Sequence, residues 1–413
     1  MPADAVLDDL TKVATTRAAT DADTVSGVPA RWVASPASTD EVSEVLRLAS
    51  QHDLTVVARG AGTKIGWGGP PRSVDLALDT TGLRGVVEHA AGDLIAVVRA
   101  GTPVDELQQT VASAGQQLAL DTALPRSTVG GTLATGASGP RRLLYGTARD
   151  LLIGVTFVRG DGVVAHAGGK VVKNVAGYDF GKLLIGSYGT LGVITEAVFR
   201  LHPLPQTRRF AHVRLPDAAA AGRVALTVLG SQLVPSAVEL DQQPDGTVTV
   251  TVLIEGVPAG VPDRTAAALA LLGDGAVESD QPPEGFGDYP FTSEGIGLKV
   301  TSSLRGVGPL LSAGWQAAAA HSVDLRVRGS AAGVLYAGLP AGTEPPVVAE
   351  LLAALRASVT AYDGTVTVLT APADVRAAVD AWGPVPGLDL MRRLKDELDP
   401  GHRLAPGRFV GGI

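Results

Sequence analysis

Two glycine-rich stretches and a scatter of cations are the parts of this chain whose residue types and spacing could do chemistry. Arg59-Gly-Ala-Gly-Thr-Lys64 follows an apolar run, and Pro125-Arg-Ser-Thr-Val-Gly-Gly-Thr-Leu-Ala-Thr-Gly-Ala-Ser-Gly139 lies downstream of it. Glycine this dense leaves backbone N–H groups bare, so a flat or anionic ligand can lie against them. Thr63 and Lys64 add a hydroxyl donor and a positive charge. A dinucleotide is the guest that uses both stretches, with its charged pyrophosphate and its flat rings. Two commoner phosphate motifs do not fit. Gly60-Ala-Gly62 opens like a nicotinamide fingerprint, but its third glycine arrives one residue late, at Gly66, and no helix begins there. Gly177-Tyr-Asp-Phe-Gly181-Lys182-Leu183 has one residue too few for a nucleotide triphosphate loop, and no Ser or Thr follows its lysine to hold magnesium.

The cations suited to a carboxylate substrate are Arg141, Arg142, Lys299, Arg326 and Arg328, with Lys173 in a loop beside Tyr178-Asp179. Arg326 and Arg328 stand at period 2 and share one strand face, from which they could clamp a carboxylate. The same period-2 polarity is also what a half-exposed strand shows. The seven histidines (52, 89, 166, 202, 212, 321 and 402) are scattered, with no pair at metal-ligand spacing, so no metal site is expected. The chain has no cysteine, which excludes disulfides, thiol nucleophiles and cysteine-ligated iron–sulfur clusters.

The elements that must position these residues can be read along the chain. Residues 3–18 carry Leu7, Leu10, Val13 and Ala14 on one helical face. Ser38-Thr-Asp-Glu41 has capping-box spacing before a second helical stripe. Residues 54–58 read as a buried strand ending at the first glycine loop, while residues 65–73 are too rich in Gly and Pro for a helix. Short strands follow at 74–78, 86–89 and 94–99, then a helix from Pro103 to about Ala114. From Pro125 to Pro203 loop, short helix and strand alternate, and Leu201-His-Pro-Leu-Pro205 marks a boundary. Beyond it, Ala- and Leu-rich helices (217–230, 263–273, 307–320, 345–358, 373–381) alternate with strands (247–254, 297–304, 323–328, 333–338, 365–369), the pattern of an antiparallel sheet covered by helices.

At 413 residues, 45% hydrophobic and 18% charged, the chain is globular and long enough for two or three domains. A net charge of -8 without a basic run makes nucleic acid and anionic membrane surfaces unsuitable partners. No secretory signal and no apolar run of membrane-spanning length is present, so the expectation is an intracellular, cytoplasmic protein without direct membrane insertion.

Six motifs in order carry a resemblance to the PCMH-type, or vanillyl-alcohol oxidase, family of FAD-linked oxidases. They are Arg59-Gly-Ala-Gly-Thr63, Thr128-Val-Gly-Gly131, Tyr145-Gly146, Asp150, Lys173-Asn-Val-Ala-Gly-Tyr-Asp179 and Gly186-Ser-Tyr-Gly-Thr-Leu-Gly-Val-Ile-Thr195. Ser138-Gly-Pro-Arg-Arg142 and the Lys173–Asp179 stretch look most like the FAD-binding subunits of bacterial glycolate oxidases. The likeness spans roughly residues 28–205. Asp399-Pro400 and Pro406-Gly407-Arg408 resemble the family's closing segment, with Ala405 in place of its asparagine.

The resemblance implies an α+β fold: a two-lobed PCMH-type FAD-binding domain over residues 1–205, a smaller α+β cap or substrate domain over 206–385, and a C-terminal segment, 386–413, returning to the FAD domain. It implies that Arg59, Gly60, Ala61, Gly62, Thr63 and Lys64 hold the FAD pyrophosphate. Pro125, Thr128, Gly130, Gly131, Ala134, Thr135, Gly139, Gly192 and Ile194 would line the rest of the cofactor. Ile65, Gly66 and Trp67 offer no histidine or cysteine to tether it, so the FAD is expected to be noncovalent. The implied reaction is oxidation of a small 2-hydroxy acid, with hydride passing from C2 to flavin N5. Electrons then leave to a larger flavin subunit and an iron–sulfur subunit, through which the complex can associate with a membrane. The metal-binding His-x-His stretch of the self-sufficient family members is missing here. Two alternatives therefore stand beside the subunit reading: a self-sufficient dehydrogenase of D-lactate or another 2-hydroxy acid or sugar derivative, and a non-catalytic flavin-binding assembly subunit.

Overall fold

The structure, a computed structural model, describes residues 3–170 and 179–413. It divides into two compact units. One comprises residues 1–138, 147–204 and 385–413, and the other residues 139–146 and 205–384. Residues 139–146, expected with the first domain, therefore belong to the second unit.

The first unit is built on two sheets. In one, Ala30–Ser35 and Val56–Arg59 run parallel to Val74–Asp79 on either side of it, and Thr15–Ala18 adds an antiparallel edge. The helix Thr39–Gln51 packs there because Val42, Val45, Leu46 and Ala49 fall on one face and are fully buried. Its start is fixed as its spacing predicts. The Ser38 hydroxyl accepts from Glu41 N at 3.1 Å, and Glu41 takes back the Ala37 N–H at 2.8 Å. The second sheet is antiparallel, in the order Val86–Ala90, Ile95–Arg99, Val193–Arg200, Leu152–Val158, Val164–Gly168. Val158 and Val193 from this sheet share a core with Val56, Leu76 and Leu78 of the first, which joins the two lobes.

One expectation about this unit changes, and one is made specific. The N-terminal helix stops at Val13, because Thr15–Ala18 pairs with Ala30–Ser35 and β-branched Thr15 and Thr16 suit that edge. The second glycine cluster is not open loop throughout. Val129–Thr135 is a short helix, with the Thr128 hydroxyl accepting from Gly131 N at 3.3 Å and Gly136 ending it at φ 61°.

The second unit is an eight-stranded antiparallel sheet, ordered Val277–Ser279, Thr207–Leu215, Val248–Gly256, Ala237–Gln242, Arg326–Ser330, Val334–Leu339, Ile296–Thr301, Thr365–Thr370. Helices Ala218–Leu229, Val261–Leu272, Val307–Ala320 and Pro345–Thr360 contribute to the one large apolar core on its covered face. Thr207–Leu215 and Ala237–Gln242 are strands that the sequence pattern did not reveal. In the latter, Glu239 and Asp241 interrupt the apolar run because they face away from the helices. The Leu143 side chain packs against the same core, which explains why residues 139–146 belong to this unit. Among the described residues no helix is long and apolar enough to cross a membrane.

Two of these helices meet at glycine. A Cβ on Gly222 would stand 2.9 Å from the Gly308 Cα, closer than packed atoms allow. Gly222→Val is expected to push the helices apart and lower stability by about 1–3 kcal/mol, the usual cost of overpacking. Urea denaturation followed by helical circular dichroism checks this, and an unchanged midpoint would contradict the contact.

Candidate functional site

A cleft in the first unit gathers residues from every segment of that unit's glycine-rich chain. It encloses about 730 Å3 of empty space open to solvent. The strand Val56–Arg59 delivers Arg59 to Lys64 along one wall. Thr128, Gly130, Gly131, Ala134 and Thr135 of the short helix and its cap form a second wall, and Tyr188, Gly189, Gly192, Val193 and Ile194 a third. Glycine is required where these walls touch. A Cβ at Gly60 would lie 2.2 Å from the Thr128 hydroxyl, and one at Gly130 would lie 3.0 Å from the Ala100 Cβ.

The electrostatics of the cleft are one-sided. Arg59, Lys64 and Arg408 line it, and among the described residues no acidic side chain does. Lys64 is buried, with its ammonium donating to Ser127 Oγ at 2.8 Å and to Thr63 Oγ1 at 3.3 Å. Burial alone pulls its pKa down to about 8, since both partners are neutral hydroxyls. A desolvated cation held this way is suited to an anion that comes and goes. Arg59 is oriented from behind by Asp23, 3.0 Å from its guanidinium. Asp23 is itself buried, and Arg17 with the Thr20 N–H and hydroxyl holds its carboxyl far below the usual range. Arg408 donates to the Ile65 and Trp67 carbonyls at 2.8 and 2.7 Å, fixing the chain that follows the first glycine loop. Bare N–H groups, hydroxyls and, among the described residues, three cations around one cleft fit a dinucleotide with its pyrophosphate.

Of the residues singled out by sequence for a cofactor, Arg59, Gly60, Ala61, Gly62, Thr63, Lys64, Thr128, Gly130, Gly131, Ala134, Thr135, Gly192 and Ile194 line this cleft. Pro125 and Gly139 do not. Pro125 is exposed, and Gly139 belongs to the second unit. Sequence reasoning missed Ala58, Ile65, Thr80, Tyr188, Gly189, Val193 and Arg408 as lining residues. Tyr188 and Gly189 lay inside a noted motif, and Arg408 inside the Pro406-Gly407-Arg408 tail. Nothing in the sequence distinguishes Thr80.

The candidate cations separate by their partners. On the face of the eight-stranded sheet away from the helices, register places Lys299 opposite Tyr336, Tyr336 opposite Arg328, and Arg328 opposite Asp241. Arg328 is buried and paired with Asp241 at 2.8 Å, so its charge is already met, while Arg326 beside it is exposed. Arg326 and Arg328 line one cleft, and in it Arg328 already has a carboxylate partner while Arg326 does not share that pair. Arg141 lies 4.0 Å from Glu255. Lys299 differs from these. Burial first and then Arg142 drive its pKa down to about 8, and nothing raises it. Tyr336, beside it, is pushed above the ordinary phenol value by burial, although Arg142 and a hydrogen bond with Tyr289 oppose this. Lys173 lies outside the described residues. Of the histidines, His321, His402 and His52 stand near Glu350, Asp396 and Asp9, and among the described residues no three His, Cys, Asp or Glu side chains gather as a metal site would need.

Residues 30–168 match the family model described as FAD binding domain. The chain is 32% identical over 248 residues to the glycolate oxidase subunit GlcD of Bacillus subtilis, covering 60% of this chain and 52% of that one. It is 37% identical over 165 residues to the glycolate oxidase subunit GlcE of Escherichia coli, covering 40% and 47%. The chain thus spans about half the length of these curated relatives. A solved glucooligosaccharide oxidase of Acremonium strictum superposes with a TM-score of 0.73 at 14% identity, over 99% of this chain and 98% of that one, which shows a shared fold.

Lys64 gives the cofactor site a pH signature. The cation is present below pH about 8 and lost above it, whereas a bound pyrophosphate would hold the proton on to higher pH. FAD affinity is therefore expected to fall above pH about 8, approaching tenfold per unit for one linked proton. Lys64→Met should weaken FAD at neutral pH and flatten the profile. Titration of apoprotein followed by flavin fluorescence checks both, and an unchanged slope in the variant would exclude Lys64 as the linked group.

Proposed function

We propose, from the premise that this chain carries an FAD-binding domain of the FAD-linked oxidase family, that it is the FAD-bearing subunit of a glycolate-oxidase-type complex that oxidises a small 2-hydroxy acid. The observation that carries the cofactor half is the cleft lined by Arg59, Lys64 and Arg408 with no acidic side chain. When bound, FAD supplies the two-electron acceptor that oxidation of a C–OH group to a carbonyl needs. Arg59 to Lys64 would hold its pyrophosphate, and Thr128, Gly130, Gly131, Ala134, Thr135, Gly192 and Ile194 would line the rest. Among the described residues no histidine or cysteine lines the cleft, which supports noncovalent attachment.

The substrate half rests on Lys299 and Arg142. Burial costs Lys299 hydration that no carboxylate offsets, and Arg142 adds a like charge. An incoming carboxylate relieves both penalties, and two cations on one anionic end fix its orientation and hence the position of C2. Tyr336, with its proton held by burial, is a hydroxyl donor for the same end. We assign the second unit the role of a substrate domain on these grounds, with residues 386–413 serving the FAD domain.

The likeness to two glycolate oxidase subunits supports a multi-subunit complex, and because a chain without cysteine has no cluster of its own to receive electrons, we assign it a larger flavin subunit and an iron–sulfur subunit as partners. Anaerobic mixing with glycolate or D-lactate tests the assignment. Bleaching of the flavin is expected once partner subunits are present. Bleaching by the lone chain would instead make it a self-sufficient dehydrogenase, and no bleaching in the full complex would leave an assembly subunit. In the active complex, Lys299→Met is expected to lower kcat/KM about 100-fold, as loss of a charge-assisted contact does. The wild-type KM should rise above pH about 8, as Lys299 loses its proton. Denaturation by acid is expected to release all yellow colour, and colour retained on the chain would contradict noncovalent FAD.

A further inference from the structure

Tyr188 has φ 55°, in the left-handed region that an aromatic residue seldom adopts, and Gly189 follows at 76°. Both line the dinucleotide cleft. A bend of this kind persists only where its surroundings over-determine it, and here they do. Tyr188 N donates to the Ala134 carbonyl at 2.8 Å. Thr190 donates through N and Oγ1 to the Ser187 carbonyl at 3.1 and 2.7 Å.

The remaining restraints come from the far end of the chain. The Tyr188 ring lies against Phe409, with 6.0 Å between centroids. Lys395, on the helix Leu388–Leu398, is 1% exposed, and its ammonium donates to the Thr190 carbonyl at 2.8 Å. Its other two donors go to Asp399 Oδ2 at 2.6 Å and the Leu404 carbonyl at 2.8 Å, and Asp399 Oδ2 also accepts from Leu404 N. Two of the three donors thus tie the C-terminal segment to itself, and the third holds the cleft wall. Farther along, the glycines after the first loop are fitted to the same segment. A Cβ on Gly69 would stand 2.6 Å from the Gly407 carbonyl, and one on Gly68 2.8 Å from the Arg408 carbonyl.

We propose that Lys395, on the same C-terminal segment that brings Arg408 to the FAD cleft, is a positioning residue of that cleft. By fixing the Thr190 carbonyl, Lys395 holds the Tyr188–Gly189 bend, and so one wall of the cleft, in the shape that receives the cofactor. Phe409 packs on the Tyr188 ring of the same bend. The proposal rests on FAD binding alone and is independent of the substrate and of the partner subunits.

The test is FAD titration into apoprotein, read by flavin fluorescence, beside near-ultraviolet circular dichroism and melting of the same apoprotein. Lys395→Met combined with Asp399→Asn removes the buried pair together and avoids stranding one charge. FAD Kd is expected to rise about 30-fold, as loss of a buried charged contact warrants. In a Tyr188→Gly background, where the left-handed φ carries no side-chain strain for Lys395 to offset, the same pair of substitutions should raise Kd only about threefold. A merely structural Lys395 would lower the melting temperature while leaving the Kd of folded protein unchanged, or would cost equal affinity in both backgrounds, and either result overturns the proposal. Should the double variant not fold, Phe409→Ala leaves the buried pair intact. It is expected to weaken FAD about fivefold with an unchanged near-ultraviolet spectrum, on the scale of one lost aromatic contact. Unchanged affinity there also overturns the proposal.

Discussion

The first glycine loop lies so close to Thr128 that no methyl group fits between them, and the cleft depends on that contact. A Cβ on Gly60 would stand 2.2 Å from the Thr128 hydroxyl. Because the loop can come this near, Lys64 reaches Ser127, and two stretches far apart in the chain become one lining. Any larger residue at Gly60 would force the walls apart and remove the surface on which bare N–H groups and a buried ammonium act together.

Charge follows from this geometry. The cleft can keep three cations because each is managed differently. Arg59 is oriented by a buried carboxylate outside the lining, Arg408 spends donors on two carbonyls, and Lys64 keeps only hydroxyl partners. A fully paired lysine would gain nothing from an anion, whereas a desolvated one with neutral partners gains most of what burial took from it. The second unit repeats that logic on the face of its sheet away from the helices. Arg328 has Asp241, but Lys299 has only burial and a neighbouring arginine. One sheet thus does two jobs by period-2 alternation: Val250, Val252 and Leu298 build the core, while Thr249, Thr251 and Lys299 face the other way.

The closing segment of the chain serves a similar purpose at longer range. Arg403 and Ala405 extend hydrogen bonding to Val56 at the strand that leads into the glycine loop, and Lys395 reaches the Thr190 carbonyl beside Tyr188 and Gly189. A cleft made of glycine and turns has little rigidity of its own, because its backbone has many alternative conformations. Buried hydrogen bonds from a helix supply the rigidity.

Local sequence was enough to determine the glycine loops, the helix Thr39–Gln51 with its cap, the helices of the second unit and several strands of its sheet. Those features rest on spacing and on the freedom of glycine, both written in neighbouring residues. It also identified thirteen of the residues that line the cleft, since they fall in motifs. Four things were decided only by the tertiary structure. Gly139–Gly146 joined the second unit because Leu143 packs into its core. Val129–Thr135 became helical once Thr128 capped it. Among six candidate cations, partners met through strand register separated Lys299 from Arg328. Arg408 and Lys395 entered the cofactor site from the end of the chain. Charge pairing and long-range contact depend on which residues the fold brings together, and no local pattern carries that information.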